Sequence, residues 1–379
     1  MARSIRSVLA HRRAPDSGMT TNAILEVNRA APGETRLVTP DLAPLGDVAV
    51  RLRIDRFAIT ANNITYASIG DMLGYWDFFP TDDPGWGRVP AMGWAEVAES
   101  AHPGVEVGSR YYGWFPMAQY LDLEVTVTAD GIRDDGTHRA AHASVYRSYV
   151  DTRRDPMYDA GEDAEDRHAL LRGLFLTGFL ADEFFADSDY FGAASAVVLS
   201  ASSKTAIGFA QRASQRGLGA VIGVTAPGNA AFVRSLGWHD DVLTYDALDA
   251  LPGEGGAVVI DMSGNSAALA VIHDHFGDRL AHSMIVGKSH HDAAPVPVTA
   301  GPTPSLFFAP SEVSRRTEQW GRAEYQRRCS EALRDFVRGS QRWLTVERST
   351  GPEAAQATYH DVFDGAVPPS IGRVVSLHA

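Results

Sequence analysis

"VVLSASSKTAIGFAQRASQRG", residues 197–217, runs from an apolar strand through a small-residue turn into a helix. A strand-turn-helix of this shape offers the unpaired N–H groups of a helix start to a phosphate. A dinucleotide-binding turn fills that place with glycines, whereas this one has Ser202, Ser203, Lys204 and Thr205, and only Gly208 is left. Three readings follow: a nucleotide site with unusual donors, a different phosphate loop, or a fold that has lost its cofactor. Hydroxyls on Ser202, Ser203 and Thr205 can donate hydrogen bonds, and Lys204 adds a point charge beside the helix start. Capping the helix needs one such residue, and four polar ones stand in a row, which favours phosphate binding. A P-loop needs glycine before its lysine and again five residues earlier; Ser203 and Val198 occupy those positions. The NTPase reading is therefore set aside.

Working outward, residues 196–290 alternate strand and helix: "AVVLS", a helix over 204–216, "AVIGVT", a helix over 228–236, "DVLTYD", "AVVIDMS", a helix over 265–276 and "HSMIVGK". Parallel strands with crossover helices make a doubly wound sheet. Residues 21–130 read instead as short strands broken often by Pro and Gly, the pattern of a small antiparallel barrel. From Ala141 to Ala194 the character is helical, and the acidic run "DAGEDAED", 159–166, reads as a solvated loop. Residues 318–338 read as one long amphipathic helix. A helix near 352–364 and the strand "GRVVSL" close the chain, so both ends are expected to belong to one domain. The division is a tail over 1–20, a barrel domain over 21–175, a parallel-sheet domain over 176–310, and a return over 311–379.

The formal net charge of −13 argues against nucleic acid or an anionic membrane as partner. No apolar stretch reaches the length that spans a bilayer. Cys329 is the single cysteine, which excludes an intramolecular disulfide and a multi-cysteine zinc site and points to the cytoplasm. His273 and His275 in "IHDHFGD" lie two apart on a helix, so their side chains diverge and make a poor metal pair.

The order and spacing of "RIDRFAITANNITYASIGD", "VPAMGWAEVAES", "GSRYYGWF", the turn at 200–208, "AVVIDMSGN", "SMIVGKSHH" and the closing "VERSTGPEAAQATYHDVFDG…GRVVSL" resemble the medium-chain dehydrogenase/reductase superfamily on its zinc-free, quinone-oxidoreductase-like side. The resemblance runs from about Ala23 to Leu377, and "YRSY" and "FLTGFLADEFF" are similar to an uncharacterised branch of it. It implies an α/β fold: a GroES-like β-barrel catalytic domain plus a doubly wound Rossmann-like domain. Where zinc-dependent members place cysteine and histidine, this chain has Asn62 and Trp94, so no metal is expected. The implied cofactor is NADP(H), with NAD(H) or none as alternatives, because "AVIGVT" ends at Thr225 without the acidic residue that holds a ribose. Thr205 stands where a glycine lets pyrophosphate approach, and Asn229 replaces a basic residue.

The cofactor-binding set implied is Ser202, Ser203, Lys204, Thr205, Gly208, Thr225, Asn229, Tyr245, Met262, Ser263 and Gly287; the catalytic set is Tyr66, Asn62 and His290. Tyr66 or Asn62 would polarise a substrate carbonyl, and Tyr75 and Trp76 would wall the cleft. The activity implied is reduction of an activated C=C or carbonyl of a small, largely apolar substrate. The alternative is the same fold repurposed as a lyase or hydrolase with a degenerate or structural nucleotide site, and a binding protein is the third class. The resemblance also implies a homodimer through the sheet edge near "LAHSMIVG".

Overall fold

The computed structural model describes residues 20–287 and 296–379. The first part of the chain forms β1 (Ile24–Asn28), β2 (Thr35–Val38), β3 (Ala49–Ile59), α1 (Ala61–Ser68), α2 (Gly70–Leu73), β4 (Trp86–Gly87), β5 (Pro90–Ser100), β6 (Arg110–Pro116), β7 (Tyr120–Val127), β8 (Gly131–Asp134), α3 (Ser144–Arg147) and β9 (Ser148–Asp151). Strands β3, β5, β6, β9, β8 and β7 pair antiparallel in that order, and β7 returns to β3 with Leu121 opposite Leu52. The barrel is thereby closed and has no free edge inside it. Strand β9 lies in the stretch expected to be helical. Its four residues, SYVD, have too little apolar pattern to read alone, and β6 and β8 on either side supply the pairing that fixes them.

A long helix, α4 (Glu162–Asp187), then crosses from the barrel to the second sheet. Its start corrects the reading of residues 159–166 as a solvated loop. Glu165 is 5% exposed and Asp166 0%. Arg110 on β6 holds Glu165 at 2.6 Å and Asp55 of β3 at 2.6 Å, while Arg56 and Arg348 close on Asp166. These arginines come from distant parts of the chain, so nothing local in "DAGEDAED" announces the burial.

The second sheet contains β10 (Ser195–Leu199), α5 (Lys204–Arg216), β11 (Ala220–Thr225), α6 (Ala230–Leu236), β12 (Asp241–Thr244), β13 (Ala257–Asp261), α7 (Ser266–Phe276), β14 (Leu280–Ile285) and β15 (Ser305–Leu306). All neighbours are parallel, in the order β12-β11-β10-β13-β14-β15. Counted from β10 this is the 3-2-1-4-5-6 order of a Rossmann sheet, whose ligand crevice opens at the carboxyl ends of its first and fourth strands. The mixed architecture expected from sequence, a GroES-like barrel beside a Rossmann-like sheet, is the one found.

The tail of the chain holds α8 (Ala309–Trp320), α9 (Arg322–Ser340), β16 (Thr345–Thr350), α10 (Pro352–Phe363) and β17 (Ile371–Ser376). The single helix expected over 318–338 is two, broken at Gly321, whose φ of 78° no helix accommodates. Strand β17 pairs antiparallel with β3, Arg373 opposite Ile59. Continuing that register sets Ile371 beside residue 61, where α1 begins.

Candidate functional site

The turn after β10 is built by a left-handed residue that is not glycine. Ser200 has φ +56°, and its N–H donates to the Tyr245 hydroxyl at 3.0 Å. Tyr245 follows β12, and burial pushes its phenol up to about 12, with Ser200 and Ser263 hydrogen bonds opposing. Ser203 is the N-cap of α5, its Oγ accepting from the Ala206 N–H at 3.3 Å. The Ser202 hydroxyl receives hydrogen bonds from Thr225 Oγ1 and Asn229 Nδ2, each at 3.2 Å. Ser202, Thr225 and Asn229 therefore form one polar group at the end of β11, with no carboxylate in it. Arg234 does not join them; it donates to the Val242 carbonyl at 2.8 Å.

Lys204 leaves the turn altogether. Its Nζ donates to the Ile371 carbonyl of β17 at 3.3 Å, and burial pulls its pKa from 10.5 down to about 8. No carboxylate meets it in that contact, so the ammonium stands beside the start of α1 uncompensated. Helix α5 is held against α4 by close backbone approach: a Cβ at Gly178 would lie 2.4 Å from the Thr205 carbonyl oxygen, and one at Gly208 would lie 3.0 Å from the Phe175 ring. Thr205 sits in the first turn of α5, where N–H groups lack helical partners.

At the end of β13 the Asp261 carboxylate accepts from the Ser263 N–H at 2.7 Å, the Ser263 hydroxyl at 2.6 Å and the Gly264 N–H at 3.0 Å. This pins Met262 and Ser263 beside Gly287, whose N–H points to the Asp261 carbonyl at 3.4 Å. His290, with Lys288, Ser289 and His291, lies outside the described residues.

On the barrel side, Asn62 and Tyr66 are four apart on α1 and share a face. Burial raises the Tyr66 phenol, and the Asn62 and Trp114 side chains act against that rise. Its ring lies 4.3 Å from that of Tyr75, whose hydroxyl is 3.4 Å from the Tyr146 hydroxyl; Tyr146 stands edge-on to Trp114 at 5.4 Å. Trp76 is elsewhere, 4% exposed in the barrel core between Gly70 and Gly87, and it walls no cleft. Trp94 is wholly buried and its indole N–H donates to the Glu165 carbonyl at 2.9 Å. Sequence reading missed Trp114, Tyr112 and Tyr146. The available signal was the alternation in "RYYGWF", which puts Tyr112 and Trp114 on one face of β6.

His273 bonds Ser283 Oγ and the Ala300 carbonyl, each at 2.8 Å, while His275 turns to the Pro252 carbonyl at 2.9 Å. No group of three or more His, Cys, Asp or Glu among the described residues is arranged to hold a metal. No helix among them is long and apolar enough to cross a membrane. A cavity of about 570 Å³ opens on the barrel around Phe79, Arg88, Tyr120, Glu124 and His138; none of the turn or α1 residues lines it.

Residues 57–368 match the family described as "Protein of unknown function (DUF2855)". No curated protein matches the sequence. Among solved structures, CurA in complex with NADPH from Vibrio vulnificus is 12% identical, with a TM-score of 0.61 over 94% of this chain and 99% of that one. The quinone oxidoreductase from Coxiella burnetii is 15% identical, TM-score 0.54, over 94% and 99%. TarJ in complex with NADPH from S. aureus is 10% identical, TM-score 0.55, over 94% and 98%. At such identities the likeness is one of fold, and the fold is that of the medium-chain dehydrogenase/reductase superfamily.

Proposed function

We propose a function for a chain that belongs to the DUF2855 family: a zinc-independent, NADP(H)-dependent oxidoreductase that reduces an activated C=C or carbonyl of a small, largely apolar substrate. The observation that carries it is the meeting of the α5 turn with the barrel beside α1, where Lys204 reaches Ile371. A dinucleotide lying on that turn would have its reactive end toward Asn62 and Tyr66. CurA and TarJ, which share the fold, are seen with NADPH, and the residues at the turn fit such a group. The α5 N-terminus with Thr205 offers hydrogen-bond donors to the pyrophosphate. Ser202, Thr225 and Asn229 offer hydroxyl and amide groups where an NAD-selecting carboxylate would repel a phosphate. When bound, the nicotinamide supplies a hydride.

Tyr66, kept protonated by burial, donates a hydrogen bond to the carbonyl being reduced, and Asn62 orients it. Zinc independence is supported by Trp94, whose ring fills the place of a ligand and whose N–H is committed to Glu165. We also propose a cytoplasmic homodimer. Its contact is the outer edge of β15, rather than β14, which β15 covers; Leu306 is 65% exposed there and Phe308 38%.

Titration with NADPH and NADH, followed by nicotinamide fluorescence, tests this reading. Tighter binding of NADPH is expected, and no binding of either at millimolar concentration overturns it. One observation favours a second reading, a lyase or hydrolase with a structural nucleotide site: Ser203 and Lys204 already have protein partners. A nucleotide that co-purifies but is never turned over would select it.

A further inference from the structure

Two hydrogen-bond donors at the barrel wall have nothing to bind. The Tyr112 hydroxyl and the Trp114 indole nitrogen are both sealed from water, and neither has a partner among the described residues. They project from the same face of β6, and α4 lies over them; a Cβ at its Gly173 would come 3.9 Å from the Trp114 ring. Tyr66 brings a third polar group, since its phenol senses the Trp114 side chain and in turn raises that of Tyr112. An unmet buried donor costs about 1–3 kcal/mol, and folded proteins keep few of them. Two side by side imply an acceptor supplied from outside the chain.

The character of that acceptor follows from the wall around it. An indole N–H only donates, and burial keeps the Tyr66 and Tyr112 phenols protonated, so the incoming atom must be an acceptor. The rings of Tyr66, Tyr75, Tyr146 and Trp114 give flat apolar faces. The guanidinium nearest in the stack, Arg172 at 4.4 Å over Tyr112, is committed to Asp155 and is not free to pair with an anion.

We propose that Trp114 Nε1 and the Tyr112 hydroxyl, together with Tyr66, receive the carbonyl oxygen of an uncharged, flat, conjugated ketone. This rests on the reductase reading above. A hydride then adds to the β-carbon, and the C=C electron pair moves to join the α-carbon to the carbonyl carbon. The oxygen takes the negative charge against the three donors, and a proton from solvent ends on the α-carbon. The product is the saturated ketone, and NADPH leaves as NADP⁺.

The test needs no cofactor. Calorimetric titration of the cofactor-free protein uses 4-phenyl-3-buten-2-one, with 4-phenyl-1-butene lacking the oxygen and cinnamate carrying a charge. The enone is expected to bind, and both controls to bind at least tenfold more weakly. W114F and Y112F each lose about tenfold in enone affinity, from one hydrogen bond removed, while unfolding at or above the wild-type temperature because an orphan donor has gone. Equal enone binding by wild type and both variants overturns the proposal, as does binding of cinnamate as tight as the enone. Absence of enone binding, or a crystal with the enone in which only water meets both donors, overturns it too. Enone discrimination without any NADPH binding upholds this site and removes the reductase reading instead.

Discussion

Replacing Lys204 with methionine should stabilise the protein at neutral pH, and by an amount that depends on pH in a defined way. The lysine is charged at pH 7 in both states, but burial lowers its folded pKa from 10.5 to about 8. At 1.36 kcal/mol per unit, holding that charge costs the native state about 3 kcal/mol. Its hydrogen bond to the Ile371 carbonyl, at 3.3 Å, returns about 1 kcal/mol. K204M removes both, a net gain of about 2 kcal/mol at pH 7. Between pH 8 and 10.5 the unfolded chain holds a proton that the folded chain has released, so wild-type stability rises with pH across that window. The advantage of K204M should therefore shrink above pH 8 and vanish near pH 10.5. Urea unfolding of both proteins at pH 7, 9 and 10.5 reads this directly. A K204M protein that is less stable at pH 7, by an amount constant with pH, refutes the picture of an uncompensated buried charge. The same variant tests the phosphate role: a bound pyrophosphate would restore the charge, so NADPH should bind wild type with proton uptake above pH 8 and bind K204M more weakly.

Three further outcomes are expected. S200G should raise the unfolding free energy by about 1 kcal/mol, because Ser200 holds φ +56° where glycine is unstrained; a fall would mean that the serine side chain's own bonds outweigh the strain. G131A should cost about 3 kcal/mol or more, since its Cβ would lie 2.1 Å from the Tyr149 carbonyl oxygen at φ +158°; near-wild-type denaturation would contradict the β8–β9 closure of the barrel. R110Q should cost about 3 kcal/mol at pH 7 by leaving Glu165 and Asp55 without their shared cation. Arg110 holds Asp55 below the usual aspartate range despite burial, so that contribution is present at neutral pH and lost in acid; the R110Q deficit should narrow as pH falls below about 4.

The parallel sheet was legible because its strands are buried on both faces and read as unbroken apolar runs, "AVVL", "AVIGV" and "AVVID". Its helix α5 announced itself through Ser203 at the start and Gly217 in the left-handed region at the end. Strands β8 and β9 did not, since GIRD and SYVD are short and polar and acquire their conformation from partners elsewhere. The break between α8 and α9 was hidden because the apolar stripe continues across Gly321 while the backbone does not. Burial of Glu165 and Asp166 was hidden for a related reason: a charge looks solvated in sequence until its counter-charges, here Arg56, Arg110 and Arg348, are brought to it by the fold.

The turn shows most clearly where residue type and role part. A row of serine, lysine and threonine reads as a set of phosphate donors, yet the strained position is Ser200, two residues earlier, kept left-handed by a hydroxyl from Tyr245. Ser202 is bonded to Thr225 and Asn229, Ser203 to its own helix, and Lys204 to the barrel. An anion arriving here must therefore exchange bonds rather than satisfy empty ones, so its affinity is a difference between two hydrogen-bonded states. For Lys204 the exchange has a second consequence. Its partner, Ile371, belongs to β17, which pairs with β3 immediately before α1 carries Asn62 and Tyr66 forward. Drawing the ammonium to a phosphate would free that carbonyl, so occupancy of the turn and the placement of α1 are linked through a single hydrogen bond.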